Sequence, residues 1–437
     1  MIWYRFMLFA LTSLPLSMVA AQSMDLNQAY QLALEQDPVL AAGKATLTLN
    51  QEKIPQGKSG ILPRVNAKGN IDYAYQLDDS ESLSNYGASI NLSHPLYRKS
   101  NQIAFAQSKL FVSQAETQFE LVKQELALRV AEAYFAVLSA QESVGVAVSQ
   151  KAAFAESLDR ANLSYRIGTA TITDKLEAQA RFDLADATEI AEKSALDVAK
   201  QSLKSIIGVI PGELFSLRED IALPALTHQD INYWVSEANT KSPEIQLSLL
   251  GLDVTNKTLE SARSAKLPTV DLVASAAQSH SENALFKNDS SSLSVGIQLD
   301  MPIYTGGFTS SKIREAIAAK EEQQHRLEEN RRKITLNTQQ AYLAVTNGQL
   351  RVGALKKALT SSQSVLDATK KGLEVGVRTN LDVLDAQQQY FSTKQDLMLA
   401  KYNYLLDTLR LKAAIGQLGN DQITQVNELL VKQQSNE

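Results

Sequence analysis

The sequence of 437 residues contains no cysteine and has only 19 glycines and 10 prolines. Without cysteine the chain cannot form a disulfide bond, so burial of apolar surface must hold the fold together. Because glycine and proline interrupt regular structure, their scarcity favours long and continuous elements.

The chain also has little net charge and few histidines. The net charge is −5, from 43 basic and 48 acidic residues, and the basic residues form no run. Nucleic-acid binding is therefore not expected, because phosphate contacts need clustered cations. The four histidines are scattered, and neither a phosphate-binding glycine loop nor a nucleophile elbow occurs. We expect no metal, no cofactor and no enzymatic activity.

Long hydrophobic runs are missing beyond the N-terminus. Residues 1–21 combine Arg5, an apolar stretch and small residues at 19–21, which is the pattern of a cleaved export signal. A membrane anchor helix is the alternative, but Pro15 interrupts its short apolar stretch. No later segment offers the ~18 apolar residues of a spanning helix. We expect the exported chain to lie in the periplasm, outside the cell, or in an outer membrane entered as β-strands.

The chain repeats itself. The phrase GTATITDKLEAQ at 168–179 returns as GVRTNLDVLDAQ at 376–387, and other landmarks recur in the same order at a nearly constant spacing. We therefore predict two structural repeats, 22–226 and 227–437. Each would contain a helix, a β-hairpin, a long helix and a return helix.

Very long helices are predicted in both repeats. The stretches 102–166 and 310–374 are rich in Ala, Gln, Glu, Lys and Leu, and ~65 helical residues span about 98 Å. Each repeat also has a return stretch, 174–207 or 382–415, and a helix before its strands. Placed end to end, these two shorter helices match the length of one long helix. The pattern predicts a long antiparallel coiled-coil bundle in which the repeated phrase forms the far tip.

The residues of the repeated phrase suit a tight turn. Gly168 and Gly376 fit the position after a helix, where φ is positive. Thr171 with Asp174, and Thr379 with Asp382, have the spacing of capping boxes for the next helix. A simple helix–turn–helix would account for these features.

Capping does not account for the further acid at Asp385. Asp382 and Asp385 share one helical face, and like charges at that spacing repel. If several chains meet around an axis, these residues would form acidic rings at a mouth. Arg378, one turn before Asp382, would then pair across copies with Asp174.

Four stretches of alternating residues, each of about 8–10 residues, form two pairs that end at Pro95 and Pro302. The alternation predicts β-strands with one apolar and one polar face, and Asp271 and Asp300 lie on the polar face. A small soluble sheet and part of a transmembrane barrel both fit this pattern. Four strands cannot close a barrel, whereas three chains would supply twelve.

The duplicated units, MPIYTGG at 301–307 and EVGVRTNLDVLDAQ at 374–387 together resemble the TolC family of outer-membrane efflux and type I secretion channels. The resemblance implies an α+β membrane protein with an α-helical coiled-coil tunnel through the periplasm. It also implies a homotrimer with a shared twelve-stranded transmembrane β-barrel in outer-membrane lipid. The implied function is the exit duct of a tripartite efflux pump or type I secretion system. Its partners would be a periplasmic adaptor (a membrane fusion protein) and an inner-membrane pump or ABC transporter.

By the same resemblance, Asp382 and Asp385 match acidic rings at the tunnel entrance, and Arg378 and Asp174 match the links that hold it closed. Leu373 departs from the family, because the best-known member has a latching tyrosine there. The alternative from another class is a periplasmic coiled-coil adaptor or structural protein. That alternative explains the helical hairpins but not the strand pairs.

Overall fold

The computed structural model describes residues 23–76, 81–218, 223–282 and 287–431, and the predicted export signal at 1–21 lies outside these ranges. The helices are α1 (Leu26–Gln36), α2 (Pro38–Gln51), α3 (Lys53–Ser59), α4 (Lys99–Arg166), α5 (Ile172–Ile207), α6 (Ile231–Lys241), α7 (Pro243–Ser264), α8 (Phe308–Glu374), α9 (Asn380–Ala414) and α10 (Asn420–Asn427). The strands are β1 (Arg64–Gln76), β2 (Glu81–Tyr97), β3 (Ser216–Leu217), β4 (Thr269–Glu282), β5 (Lys287–Asp300) and β6 (Leu430–Val431).

Two very long helices dominate the fold. Helix α4 has 68 residues and α8 has 67, so each is about 100 Å long. Their starts and ends agree with the predicted stretches within three residues. Helix α5 packs antiparallel along α4, α9 packs along α8, and α4 also contacts α9. The helices therefore lie side by side in the order α5, α4, α9, α8. No helix within the described ranges combines the length and apolar character needed to cross a lipid bilayer.

The main hydrophobic core lies along the middle of the long helices. Tyr134 and Phe135 of α4, Tyr404 of α9 and Trp234 of α6 are almost fully buried there. The two ends of the described chain meet at the same level, where the Leu26 backbone N–H donates a 2.9 Å hydrogen bond to Asn427 Oδ1. Strand β3 pairs with β6 beside them. This core fixes the middle of the bundle, and both ends of the long helices project from it.

The four long strands form one antiparallel sheet in the order β1-β2-β4-β5. The register brings the apolar positions of all four strands to one face; one row across this face is Ala67, Ile90, Ala276 and Leu293. The row next to it on the opposite face is Asn66, Asn91, Ser275 and Ser294. The apolar side chains point away from the rest of the chain, and Leu293 is 81% exposed.

The strands are longer than the alternation predicted. They have 13 to 17 residues rather than about 8–10, because ladder hydrogen bonds continue through serine- and asparagine-rich flanks that do not alternate. Pro95 does not end its strand either. Strand β2 continues to Tyr97, with a register irregularity between these two residues where proline is tolerated. Pro302 follows β5 and precedes the first residue of α8, Phe308, by a short coil.

An ion pair joins the sheet to the long helix α4. Arg98, the residue before α4, donates from Nε to both carboxylate oxygens of Asp271 on β4, at 2.9 and 3.1 Å, and from Nη2 at 2.5 Å. Asp271 is only 6% exposed. Asp271 lies on the polar face of the sheet, as the alternation predicts, and its charge is paired with Arg98. Asp300, by contrast, is exposed.

Candidate functional site

The two tip turns connect α4 to α5 and α8 to α9. After α4, Gly168 has a φ of 80°, a backbone conformation that is unfavourable for residues with a Cβ atom. The Thr169 N–H donates back to the Ser164 carbonyl at 2.9 Å. After α8, Gly376 has a φ of 77°, and the same hydrogen-bond pattern recurs. Both long helices thus end in a Schellman motif that satisfies their last carbonyl groups.

Each return helix begins with a capping box. In the first turn, Asp174 accepts hydrogen bonds from the Thr171 backbone N–H and hydroxyl, both at 2.8 Å. In the second turn, Asp382 accepts the equivalent bonds from Thr379 at 2.8 and 2.9 Å. These hydrogen bonds, from the backbone first and the hydroxyl second, lower the pKa of Asp174 and of Asp382 below the usual aspartate value. Both carboxylates are therefore ionised at neutral pH.

Arg378 lies beside its own return helix. Its Nη1 is 3.9 Å from Asp382 Oδ1, and both side chains are largely solvated. Within the described part of the single chain, Arg378 makes no ion pair with Asp174. The side chain of Arg378 folds against α8, where a Cβ on Gly372 would come within 2.7 Å of Arg378 Cγ. Gly372 therefore provides the space for Arg378 next to Leu373.

Asp385 has an ion-pair partner that the sequence pattern did not predict. Arg181 on α5 donates from Nη2 to Asp385 Oδ1 on α9 at 2.9 Å. Arg181 lies seven residues after Asp174, which places both on one face of α5. The spacing indicates that Arg181 faces the same side as Asp174, but the contact with Asp385 also depends on α5 approaching α9 near the tips.

A small buried cluster aligns the helices near the tips. Phe154 and Ala161 of α4, Ala178 of α5 and Leu384 of α9 pack together there. Buried Ser157 on α4 also donates a 3.3 Å hydrogen bond to Gln387 Oε1 on α9. This packing holds Arg181 and Asp385 at the same height above the turns.

Two segments of the chain, residues 29–209 and 234–417, match the family model described as outer membrane efflux protein. The chain belongs to the outer membrane efflux protein family. It is 30% identical to the outer membrane protein TolC of Vibrio cholerae serotype O1, over 92% of this chain and 93% of that protein. It is 29% identical to the alkaline protease secretion protein AprF of Pseudomonas aeruginosa, over 91% of this chain and 85% of that one. The CmeC outer membrane channel of Campylobacter jejuni shares the fold, with a TM-score of 0.77, 16% identity, and coverage of 92% and 89% of the two chains.

In this member of the outer membrane efflux protein family, the tips of the two helical hairpins carry several charged side chains. Within the described ranges, no group of three or more histidine, aspartate or glutamate side chains is arranged to hold a metal ion. The tips present two ionised aspartates in capping boxes, a third aspartate paired with Arg181, and a solvated Arg378. Such an arrangement can attract cations and can join neighbouring helices through exposed contacts that break easily.

Proposed function

We propose that this outer membrane efflux protein works as a passive, gated homotrimeric duct that spans the outer membrane and the periplasm. The observation that carries the proposal is the exposed apolar face of the sheet. Ile71 and Tyr73 on β1 and Val295 and Ile297 on β5 are each at least 70% exposed. A soluble sheet would cover this surface, whereas lipid contact requires it.

Three copies would complete the sheet as a barrel. The outer strands of the sheet, β1 and β5, each have one unpaired edge within the described chain. Pairing of β5 with β1 of a neighbouring copy would give twelve strands and leave no edge. The apolar face would then meet lipid, and the serine- and asparagine-rich face would line a water-filled interior.

The helices support the same assembly. Helices α5 and α8 lie at the two sides of the chain, and α8 carries Leu336, Leu343 and Leu350, which are 50 to 73% exposed. Their spacing of seven residues is that of a coiled-coil seam without its partner. The near-equal lengths of α4 and α8, and of α5 and α9, support two structural repeats per chain. A trimer would then form a tunnel of roughly six-fold symmetry.

The tips would form the periplasmic entrance gate. Asp382 and Asp385 from three copies would form two acidic rings, and Arg378 would pair with Asp174 of a neighbouring copy. Arg378 and Asp385 are exposed in the single chain, and Asp174 and Asp382 are partly exposed, so each pair would contribute about 0–1 kcal/mol. Ties of this strength suit an entrance that must open.

The remaining partners would be a periplasmic adaptor and an inner-membrane pump or ABC transporter. Ile167, Val375 and Val377 at the tips are 65 to 75% exposed and offer apolar surface for an adaptor. Because the family is described as outer membrane efflux proteins and one relative as a protease secretion protein, both efflux and protein secretion are candidate activities of this duct.

Two substitutions on neighbouring residues test the proposed barrel. Val295 lies on the apolar face and Ser294 on the polar face, and both are exposed in the single chain. We expect Val295→Asp to abolish recovery of an unheated trimer from the outer-membrane fraction, and Ser294→Asp to leave it intact. Equal recovery of the two variant trimers would refute the proposed lipid contact of the apolar face, and a soluble monomeric parent chain would refute the proposal as a whole.

A further inference from the structure

Arg181 is a partly buried cation near the proposed entrance gate. We propose that Arg181 sets the ionic selectivity of the entrance by offsetting the charge of Asp385. This inference rests on the proposed function, because it assumes that the tips surround an ion-conducting entrance. Its structural basis is the 2.9 Å contact between Arg181 Nη2 and Asp385 Oδ1, which joins α5 to α9.

The two acids of the proposed rings are held in different ways. Asp382 is held by hydrogen bonds from Thr379, which keep its charge, and its nearest cation is the solvated Arg378 at 3.9 Å. Asp385 is held by a cation from another helix. The Arg181 side chain is only 30% exposed, so the surrounding packing restricts its movement. Asp382 therefore presents nearly its full charge, whereas the charge of Asp385 is partly cancelled.

The repeat in the sequence does not reproduce this ion pair. The residue 208 positions after Arg181 is Gln389, and the residue 208 positions before Asp385 is Glu177. Glutamine cannot cancel the charge of a glutamate, and Glu177 has no ion-pair partner in the described part of the chain. In a trimer, this ion pair would therefore form where α5 meets α9 within each of the three chains. No equivalent ion pair would form where neighbouring chains meet.

A multivalent cation that enters the mouth would sense the difference. With Arg181 present, it is attracted by Asp382 and Glu177 but much less by Asp385. Loss of the guanidinium would leave Asp385 without a compensating charge in each of the three chains of a trimer. We expect the concentration of La³⁺ that blocks half of the current to fall by about threefold, as one nearby charge per chain acting through water would produce.

The experiment measures block by La³⁺ in planar lipid bilayers for the parent and five variants. Arg181→Gln should lower the half-blocking concentration, and Arg181→Lys should restore the parent value because it keeps the charge. Arg160→Gln is the matched control, because Arg160 pairs with Glu156 of its own helix at 2.8 Å and lies near the same tip. We expect no change in that control. The last two variants are Asp385→Asn alone and Arg181→Gln with Asp385→Asn. In this background the arginine substitution should lower the half-blocking concentration by less than in the parent, because no carboxylate at position 385 remains for Arg181 to offset.

Several results would overturn the inference. An unchanged half-blocking concentration in Arg181→Gln, or the same fall in the Asp385→Asn background, would show that Arg181 does not act through Asp385. Failure of Arg181→Lys to restore the parent value would show that shape rather than charge matters. A parent chain that forms no conducting pore would instead refute the proposed function, and this inference with it.

Discussion

The ion pair between Arg98 and Asp271 predicts that removal of its two partners will have unequal effects. The Arg98 side chain is 43% exposed, whereas that of Asp271 is 9% exposed. Arg98→Ala would leave a carboxylate with little access to water and without its cation. Asp271→Asn would leave a guanidinium that water can still solvate. The arginine substitution should therefore be the more damaging one.

The expected sizes follow from this difference in burial. An uncompensated charge at a mostly buried site costs about 3 kcal/mol of unfolding free energy. Loss of a partner by a solvated arginine costs about 1 kcal/mol. Arg98→Ala combined with Asp271→Asn should destabilise less than Arg98→Ala alone, since no buried charge remains.

The measurement is the concentration of guanidinium chloride at the midpoint of unfolding of the detergent-solubilised protein, detected by circular dichroism.

Asp300→Asn is the matched control, because Asp300 is an exposed aspartate on the polar face of the same sheet. This substitution should change the unfolding free energy of the protein by less than about 0.5 kcal/mol. Equal effects of Arg98→Ala and Asp271→Asn, or a larger effect of Asp271→Asn, would refute the reasoning from burial.

Three further predictions concern the tips. Asp382→Asn with Asp385→Asn should weaken cation preference and block by multivalent cations in planar bilayers, and unchanged selectivity would contradict the proposed rings. Arg378→Ser should raise the resting conductance, because it removes the proposed link to Asp174 of a neighbouring copy; a conductance equal to that of the parent would contradict the link. The pKa values of Asp174 and Asp382 are lowered from 3.8, so the capping boxes stabilise the helix starts above that pH and lose this contribution as the pH falls through the lowered values. Hydrogen exchange should therefore show faster amide exchange in the first turns of α5 and α9 at pH 3 than at pH 6, after correction for intrinsic rates, and equal protection would contradict the assignment.

The sequence predicted the long helices and their turns well because both depend on local interactions. Few breakers and a helix-forming composition suffice for α4 and α8, and the spacing of Thr171 and Asp174 suffices for a cap. Strand limits were less predictable, because a strand continues wherever its neighbour supplies hydrogen bonds, whether or not its residues alternate. Pro95 illustrates this point, since β2 continues beyond it through an irregular register.

The contacts that the sequence did not predict join residues far apart in the chain. Asp271 was assigned to the polar face correctly, but its pairing with Arg98 depends on how the first hairpin meets the second. Asp385 was predicted to be a charge at the mouth, and its pairing with Arg181 depends on how closely α5 approaches α9 near the tips. Alternation and capping patterns describe one element at a time, so neither pattern contains this information.

The same division between local and distant contacts explains how a gate built from these tips would move. Within each tip, the Schellman motif and the capping box use residues only a few positions apart, so a tip can shift without losing any of these bonds. Between helices at the same level, the ties are the ion pair of Arg181 with Asp385, the hydrogen bond from Ser157 to Gln387, and the packing of the small cluster around Phe154. Opening should therefore break ties between tips and leave each turn intact. The tips would move as rigid bodies, with displacement of whole helical hairpins about the buried core around Tyr134 and Tyr404.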